Sequence, residues 1–148
     1  MEQLTTYRAK GKEIGLVFLF KYNLNGNLRE FKIENGDLNE EQIKWLFSVR
    51  FPAFEKMIKE YWMKNDNVKK IFVVECSPAD LSFDAFWKLY DLKVNKEKSE
   101  KAWNKLTEAD KIKCFIALKN YNKHLADTRQ AKAHLVTWLN QKRYNDEY

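Results

Sequence analysis

The first apolar segments of the chain predict a β-hairpin. Residues 14–22 are rich in Val, Phe and Leu, as β-strands are. Asn25-Gly26 follows, and Asn-Gly supplies the positive φ angles that a tight hairpin turn requires. Residues 28–34 then alternate between polar and apolar positions, with a one-residue shift near the turn. We therefore predict two antiparallel strands joined by a short turn.

Helical periodicity follows the hairpin and predicts two helices and a third strand. Asn39 has Gln42 three residues later, the pattern of a capping box. Pro52 is predicted to start the second helix, where its missing N–H does no harm. The apolar stripes at helical spacing contain Ile43, Leu46 and Phe47 in the first helix, and Phe54, Met57, Ile58, Tyr61 and Trp62 in the second. The apolar run in residues 68–75 predicts a strand buried on both faces. Residues 1–79 therefore form a β-β-α-α-β module, a small antiparallel sheet with two helices.

The pattern after residue 79 is helical throughout. Ser82, Asn95 or a neighbour, and Thr107 are predicted to start three helices, and a fourth is predicted over residues 132–143. Their stripes of aromatic and aliphatic residues predict a core built from helix faces. Residues 80–148 are thus a second module of about four helices, and the fold class is α+β.

The composition is typical of a folded protein that does not span a membrane. The 148 residues are 45% hydrophobic and 15% aromatic, enough for packed cores. No stretch of apolar residues is long enough to span a bilayer, so we predict no membrane partner. Cys76 and Cys114 are too few for a disulfide framework, which favours buried thiols in the reducing cytoplasm of a bacterial host.

The sequence contains none of the common catalytic motifs. The chain has no Gly-rich phosphate loop, no Gly-x-Ser-x-Gly and no His-Glu-x-x-His. His124 and His134 leave little scope for acid–base chemistry, and they lack the spacing of a zinc site with the two cysteines. We therefore predict a protein that is not an enzyme, with no catalytic residue, no metal and no cofactor.

The charge is concentrated in the second module. Residues 81–148 hold 14 Lys and Arg against 9 Asp and Glu, whereas residues 1–80 are nearly balanced. On a helical wheel Lys98, Lys101 and Lys105 lie within about 60° of one another, while Glu97 and Glu100 lie on a different side. Lysines in such a row can neutralise phosphates of DNA or RNA. The candidate nucleic-acid contacts are Lys93, Lys96, Lys98, Lys101, Lys105, Lys142 and Arg143. An ordinary solvated helix face is the alternative interpretation of the same lysines.

The order of motifs in the second module resembles a known family. The motifs are Phe-Trp-x-x-Tyr from Phe86, a lysine-rich stretch, Ala-Trp-x-x-Leu from Ala102, and His-x-x-Thr-Trp-Leu-Asn from His134. Together, over about residues 83–147, they resemble the C-terminal helical module of bacteriophage and prophage replication proteins of the replisome-organiser or helicase-loader type. Asp91, Leu135 and Tyr144 stand where that pattern has Pro, Pro and Trp.

The resemblance implies a non-enzymatic accessory factor of phage or prophage DNA replication. Its partners would be single-stranded or duplex DNA, a replicative helicase or other host replication protein, or both. Thr137 and Asn140 are candidates for hydrogen bonds across helices or for contact with a protein partner.

Two other functions remain open. An aromatic-rich first module favours a phage protein-interaction factor that binds or inhibits a host protein, if its aromatic side chains form an exposed patch. The residues concerned are Trp45, Phe47, Phe51, Phe54, Tyr61 and Trp62. An enzyme of unrecognised type is the remaining possibility, and no site chemistry in the sequence supports it.

Overall fold

A computed structural model describes residues 2–148 and confirms the α+β fold class. The chain divides into two compact units, Glu2–Ala79 and Asp80–Tyr148. We call them the first unit and the second unit. The first contains a four-stranded antiparallel sheet with helices, and the second is helical. None of the helices in residues 2–148 is both long and apolar enough to cross a membrane.

The sheet of the first unit has one strand more than the sequence analysis predicted. Its strands are β1 Thr5–Gly11, β2 Val17–Tyr22, β3 Leu28–Asn35 and β4 Phe72–Ser77, in the order β3-β2-β1-β4. Strand β1, which was not predicted, buries Tyr7 and Ala9 in alternation with more polar positions. The predicted hairpin is β2–β3, and a register shift between Lys21 and Tyr22 matches the one-residue shift expected near the turn.

Three helices, not two, lie between β3 and β4. They are α1 Glu40–Leu46, α2 Glu55–Met57, which continues as a π-helical segment Ile58–Trp62, and α3 Asp66–Ile71. Asn39 and Gln42 form the predicted capping box at α1. The prediction that Pro52 starts the second helix was wrong, because Phe54 is the residue that precedes its first turn.

The prediction of a strand over residues 68–75 that is buried on both faces was wrong in the first residue of the strand and in its burial. Asn65 accepts hydrogen bonds from the amides of Asn67 and Val68, and this cap starts helix α3 there. Strand β4 therefore begins only at Phe72. Phe72 is buried while Val73 is half exposed, because β4 is an edge strand with one solvated face.

The core of the first unit is aromatic and centred on Trp62. This fully buried ring contacts Phe18, Phe20 and Phe72 at centroid distances of 5.3–6.4 Å. Its indole Nε1 donates a hydrogen bond to the carbonyl of Arg50 at 2.8 Å, which ties the loop after α1 to the core.

The second unit has the four predicted helices, with some different ends. They are α4 Phe83–Tyr90, α5 Lys96–Asn104, α6 Glu108–Thr128 and α7 Leu135–Asn140, with a short 3-10 turn at Arg143–Asn145. Ser82 and Thr107 cap α4 and α6 through their side-chain oxygens, as predicted. The last helix is shorter than residues 132–143, because His134 still has an extended backbone and Lys142 a left-handed one.

The two positions where the family pattern has Pro differ in their backbone. Asp91 ends α4 with φ at 55°, a left-handed conformation that the ring of a proline excludes. Leu135 is the first residue of α7, the helix position that accepts Pro best, and its side chain is fully buried. The exit from α4 therefore requires a residue other than Pro at position 91, whereas the backbone at the entry into α7 accepts either Leu or Pro at position 135.

Candidate nucleic-acid interface

Helix α5 presents three lysines along one side. Ser99 and Trp103 are buried on its inner face, and Trp103 stacks on Phe86 of α4 with ring centroids 4.8 Å apart. This anchoring leaves Lys98, Lys101 and Lys105 exposed. Asn95, with φ at 54°, starts the helix, and Lys105 ends it. Three ammonium groups one helical turn apart can contact successive phosphates of one strand.

Glu97 interrupts this positive side of the helix. Its carboxylate lies 3.5 Å from the ammonium of Lys101, four residues later. The prediction that Glu97 lies away from the lysines was therefore wrong, because residues four apart on a helix lie about 40° apart and one turn along it. Within residues 2–148, Lys98 and Lys105 form no ion pair. They are the cations of α5 that are free to meet a phosphate.

The four other candidate cations lie outside this row. Lys93 lies in the loop before α5, and Lys96 is the first residue of α5, about 160° around the helix from Lys98. Lys142 is exposed after α7, whereas Arg143 is half-buried and its Nε donates a hydrogen bond to Gln141 at 2.7 Å. The structure thus groups Lys98, Lys101 and Lys105 on one side of a helix and leaves the others spread along the chain.

Thr137 and Asn140 share one side of α7, three residues apart. Thr137 is half-buried and Asn140 is exposed at the helix end. Among residues 2–148, neither side chain forms a hydrogen bond across helices. Their side-chain polar groups are therefore available to a partner.

Lys132 is a residue that the sequence analysis missed. Its ammonium lies 4.4 Å from the centre of the Tyr90 ring and donates hydrogen bonds to the Tyr90 carbonyl and to Asn122. The Tyr121 hydroxyl accepts a hydrogen bond from the neighbouring Ala133 amide at 3.0 Å. Burial lowers the pKa of Lys132. This lysine holds the segment before α7 in place, and no local pattern in the sequence marks it.

The aromatic residues of the first unit do not form one exposed patch. Trp62 is fully buried, and Trp45, Phe51 and Tyr61 pack against the core around it. Phe47 and Phe54 are 56% and 57% exposed. Most of this set is therefore core, as expected for aromatic residues at helical spacing.

The two cysteines are both free, and their environments differ. Cys114 is fully buried in the second unit, as predicted, whereas Cys76 is exposed on β4, which corrects the prediction that both are buried. Burial raises the pKa of the Cys114 thiol well above its ordinary value, and Asp110 adds to this effect. A thiol held neutral in this way is a poor nucleophile.

The raised pKa of Cys114 predicts that the protein loses stability at alkaline pH. The unfolded chain loses the thiol proton above about pH 8.5, while the folded chain keeps it, so the free energy of unfolding falls as the pH rises from there. The raised pKa of Tyr90 adds a loss of the same sign above about pH 10. The free energy of unfolding, measured with urea between pH 7.5 and 10, should fall with pH more steeply for the natural chain than for Cys114→Ala. We expect the difference in slope to reach up to about 1.4 kcal/mol per pH unit. Equal slopes would contradict the assignment, and Cys76→Ala is the matched control, since that thiol is exposed.

No cluster of three or more His, Cys, Asp or Glu residues suited to a metal ion occurs in residues 2–148. Asp80 accepts a hydrogen bond from the Ser82 amide at 2.9 Å, and this bond lowers the pKa of its carboxyl. This aspartate thus shapes the turn into α4.

The comparisons with known proteins concern the second unit. Residues 78–142 match the family described as Legionella vir region protein LvrA C-terminal domain. No curated protein and no solved structure matches the chain. The segment that carries the cationic side of α5 is therefore similar to the C-terminal domain of that vir region protein.

Proposed function

We propose that this chain is a non-enzymatic accessory protein of phage or prophage DNA replication that binds nucleic acid through its second unit. The observation that carries the proposal is the row of exposed lysines on α5, Lys98, Lys101 and Lys105. The motif order over about residues 83–147 supports the replication context. Thr137 and Asn140 would contact a replicative helicase in the same assembly.

The chemistry of the row predicts binding without sequence preference. Lysine is a flexible point charge that pairs with phosphate, whereas reading of bases requires side chains held against base edges. The aromatic rings of the second unit that stack best on bases, Trp87, Trp103 and Trp138, are buried in its core. Binding would therefore rest on phosphate contacts, and its affinity would fall steeply with salt.

The test is fluorescence anisotropy of the full chain with labelled single-stranded and duplex DNA across a salt series. We expect micromolar or tighter binding at low salt and a slope of log K against log salt between about −2 and −4. No binding at low salt would refute the proposal and leave the lysines as an ordinary solvated helix face.

Removal of the carboxylate beside Lys101 should strengthen binding. Glu97→Gln frees the ammonium of Lys101 and deletes a negative charge from the phosphate-facing side. We expect about a two- to fivefold gain in affinity at low salt, which shrinks as salt rises. Glu108→Gln, an exposed carboxylate at the start of α6, is the control. An equal gain in both variants would show a net-charge effect and contradict a local role for Glu97.

A protein-interaction factor that binds or inhibits a host protein is the second candidate function. The observation on its side is the exposure of two aromatic rings, Phe47 and Phe54, although the first unit lacks the single aromatic patch that this function predicted. A pull-down from nuclease-treated host lysate separates the two functions, because partners bridged by DNA would be lost.

A further inference from the structure

The first unit has a free sheet edge at β3. In the order β3-β2-β1-β4, β3 has a neighbour on one side only. At its start, the Leu28 amide donates to the carbonyl of Ala53 at 3.3 Å. Beyond Leu28 and within residues 2–148, the β3 backbone is bonded only to β2. The outer N–H and C=O groups of residues 29–35 are therefore available to another strand.

The two faces of this edge differ in chemistry. Glu30 and Lys32 lie on the face opposite the helices, where Glu30 also pairs with Lys21 at 3.6 Å. Phe31 lies on the helix-covered face, with its ring 6.1 Å from Phe47 and 5.4 Å from Phe51. One face of the edge is thus a short charged row and the other is apolar.

The charged row is complementary to itself in one antiparallel register. When two copies of β3 pair around Phe31, Glu30 of each copy lies opposite Lys32 of the other, so the strand pair gains two opposite-charge contacts. Centring the pair on Glu30 or on Lys32 places like charges opposite each other. The charge pattern therefore favours one symmetric register and opposes its two neighbours.

The same register covers apolar side chains that the first unit leaves exposed. A two-fold axis through the Phe31 pair keeps the helices of both copies on one side of the joined sheet. Phe47, whose ring contacts Phe31, is 56% exposed. Ile43 lies one turn before Phe47 on α1, and Ile33 follows Phe31 by two positions on the same face; both are also exposed. A second copy would remove part of this surface from water.

We propose that the partner of this edge is a second copy of the chain, paired antiparallel through β3 with Phe31 at the two-fold axis. The two four-stranded sheets then become one continuous sheet. The inference is independent of nucleic-acid binding, since it rests on residues of the first unit alone.

The test is a charge-exchange experiment read by sedimentation equilibrium of the full chain. Lys32→Glu places two glutamates opposite two glutamates, and Glu30→Lys places lysines opposite lysines. We expect each variant alone to dimerise at least about tenfold more weakly than the natural chain. An equimolar mixture of the two variants should dimerise again, because every opposite pair is then Glu with Lys. The double variant that exchanges both residues should also dimerise.

Lys69→Glu, at an exposed position of α3, changes the net charge as Lys32→Glu does and should leave the dimer unchanged, and circular dichroism should show that all variants fold. A natural chain that stays monomeric up to several hundred micromolar overturns the proposal, and capture of an extended peptide by that monomer would assign the edge to a different occupant. Dimerisation that neither variant weakens, or that the mixture fails to restore, overturns it as well.

Discussion

Replacement of Lys98, Lys101 and Lys105 together by glutamate is expected to weaken DNA binding by at least about a hundredfold at low salt. The three side chains are exposed on one side of α5, so their reversal removes three phosphate contacts and adds three repulsive charges. The slope of log K against log salt should become shallower by about 3, because each lost phosphate contact releases about one counterion fewer. Fluorescence anisotropy with the same DNA across the same salt series measures both quantities.

A matched variant separates the position of these charges from their number. Lys12, Lys64 and Lys69 of the first unit are also exposed, and their replacement by glutamate changes the net charge equally. At the points of the salt series near 0.1 M we expect this control to lose less than about tenfold in affinity, since charges further apart than about 10 Å are largely screened there. If both triple variants bind alike, or if the α5 variant binds as the natural chain does, α5 is not the interface.

Trp138→Ala is expected to destabilise the second unit by about 3–5 kcal/mol. The ring is fully buried, and it lies within 6 Å of Phe86, Tyr90, Tyr121 and Tyr144. Removal of a side chain of this size leaves a cavity that four aromatic neighbours from α4, α6 and the last turn cannot fill. Because a domain of this size is stable by only about 5–15 kcal/mol, urea unfolding should show the loss directly.

Trp138→Phe is the control that separates volume from hydrogen bonding. Within residues 2–148 the Trp138 Nε1 has no hydrogen-bond partner, so phenylalanine loses no bond and retains an aromatic face. We expect a loss below about 2 kcal/mol for this variant. Equal losses for Ala and Phe would show that the indole nitrogen has a partner and that packing is not the main contribution.

The candidate site divides into features that a sequence can predict and features that it cannot. The spacing of Lys98, Lys101 and Lys105 places them on one side of any helix, so the exposed row was predictable. The Glu97–Lys101 pair was also within reach of the sequence, because residues four apart lie about 40° apart on a helix, and the prediction overlooked this spacing. The position of Lys132 over Tyr90 joins residues 42 apart, and only the packing of the segment before α7 against α4 brings them together.

Local chemistry determined much of this fold. The Asn39 capping box, the caps at Ser82 and Thr107, the shifted register of the β2–β3 hairpin and the α+β class follow from residues within a few positions of one another. Such local features are favoured by the short segment itself, because the interacting residues are already close in sequence.

The tertiary structure decided the presence of β1, the division of residues 68–75 and the burial of individual side chains, because these features depend on partners that are distant in sequence. Strand β1 pairs with both β2 and β4, and its alternation of Tyr7 and Ala9 with polar positions is weak without these neighbours. The apolar residues at 68–75 divide between α3 and β4, since the Asn65 cap competes with pairing to β1 and wins up to Ile71. Burial shows the same dependence: Phe47 and Trp62 both fit a helical stripe, yet the sheet covers Trp62 and leaves Phe47 at its edge. Which apolar side chain lies in a core is set by the element packed above it, and a short segment of sequence does not contain that element.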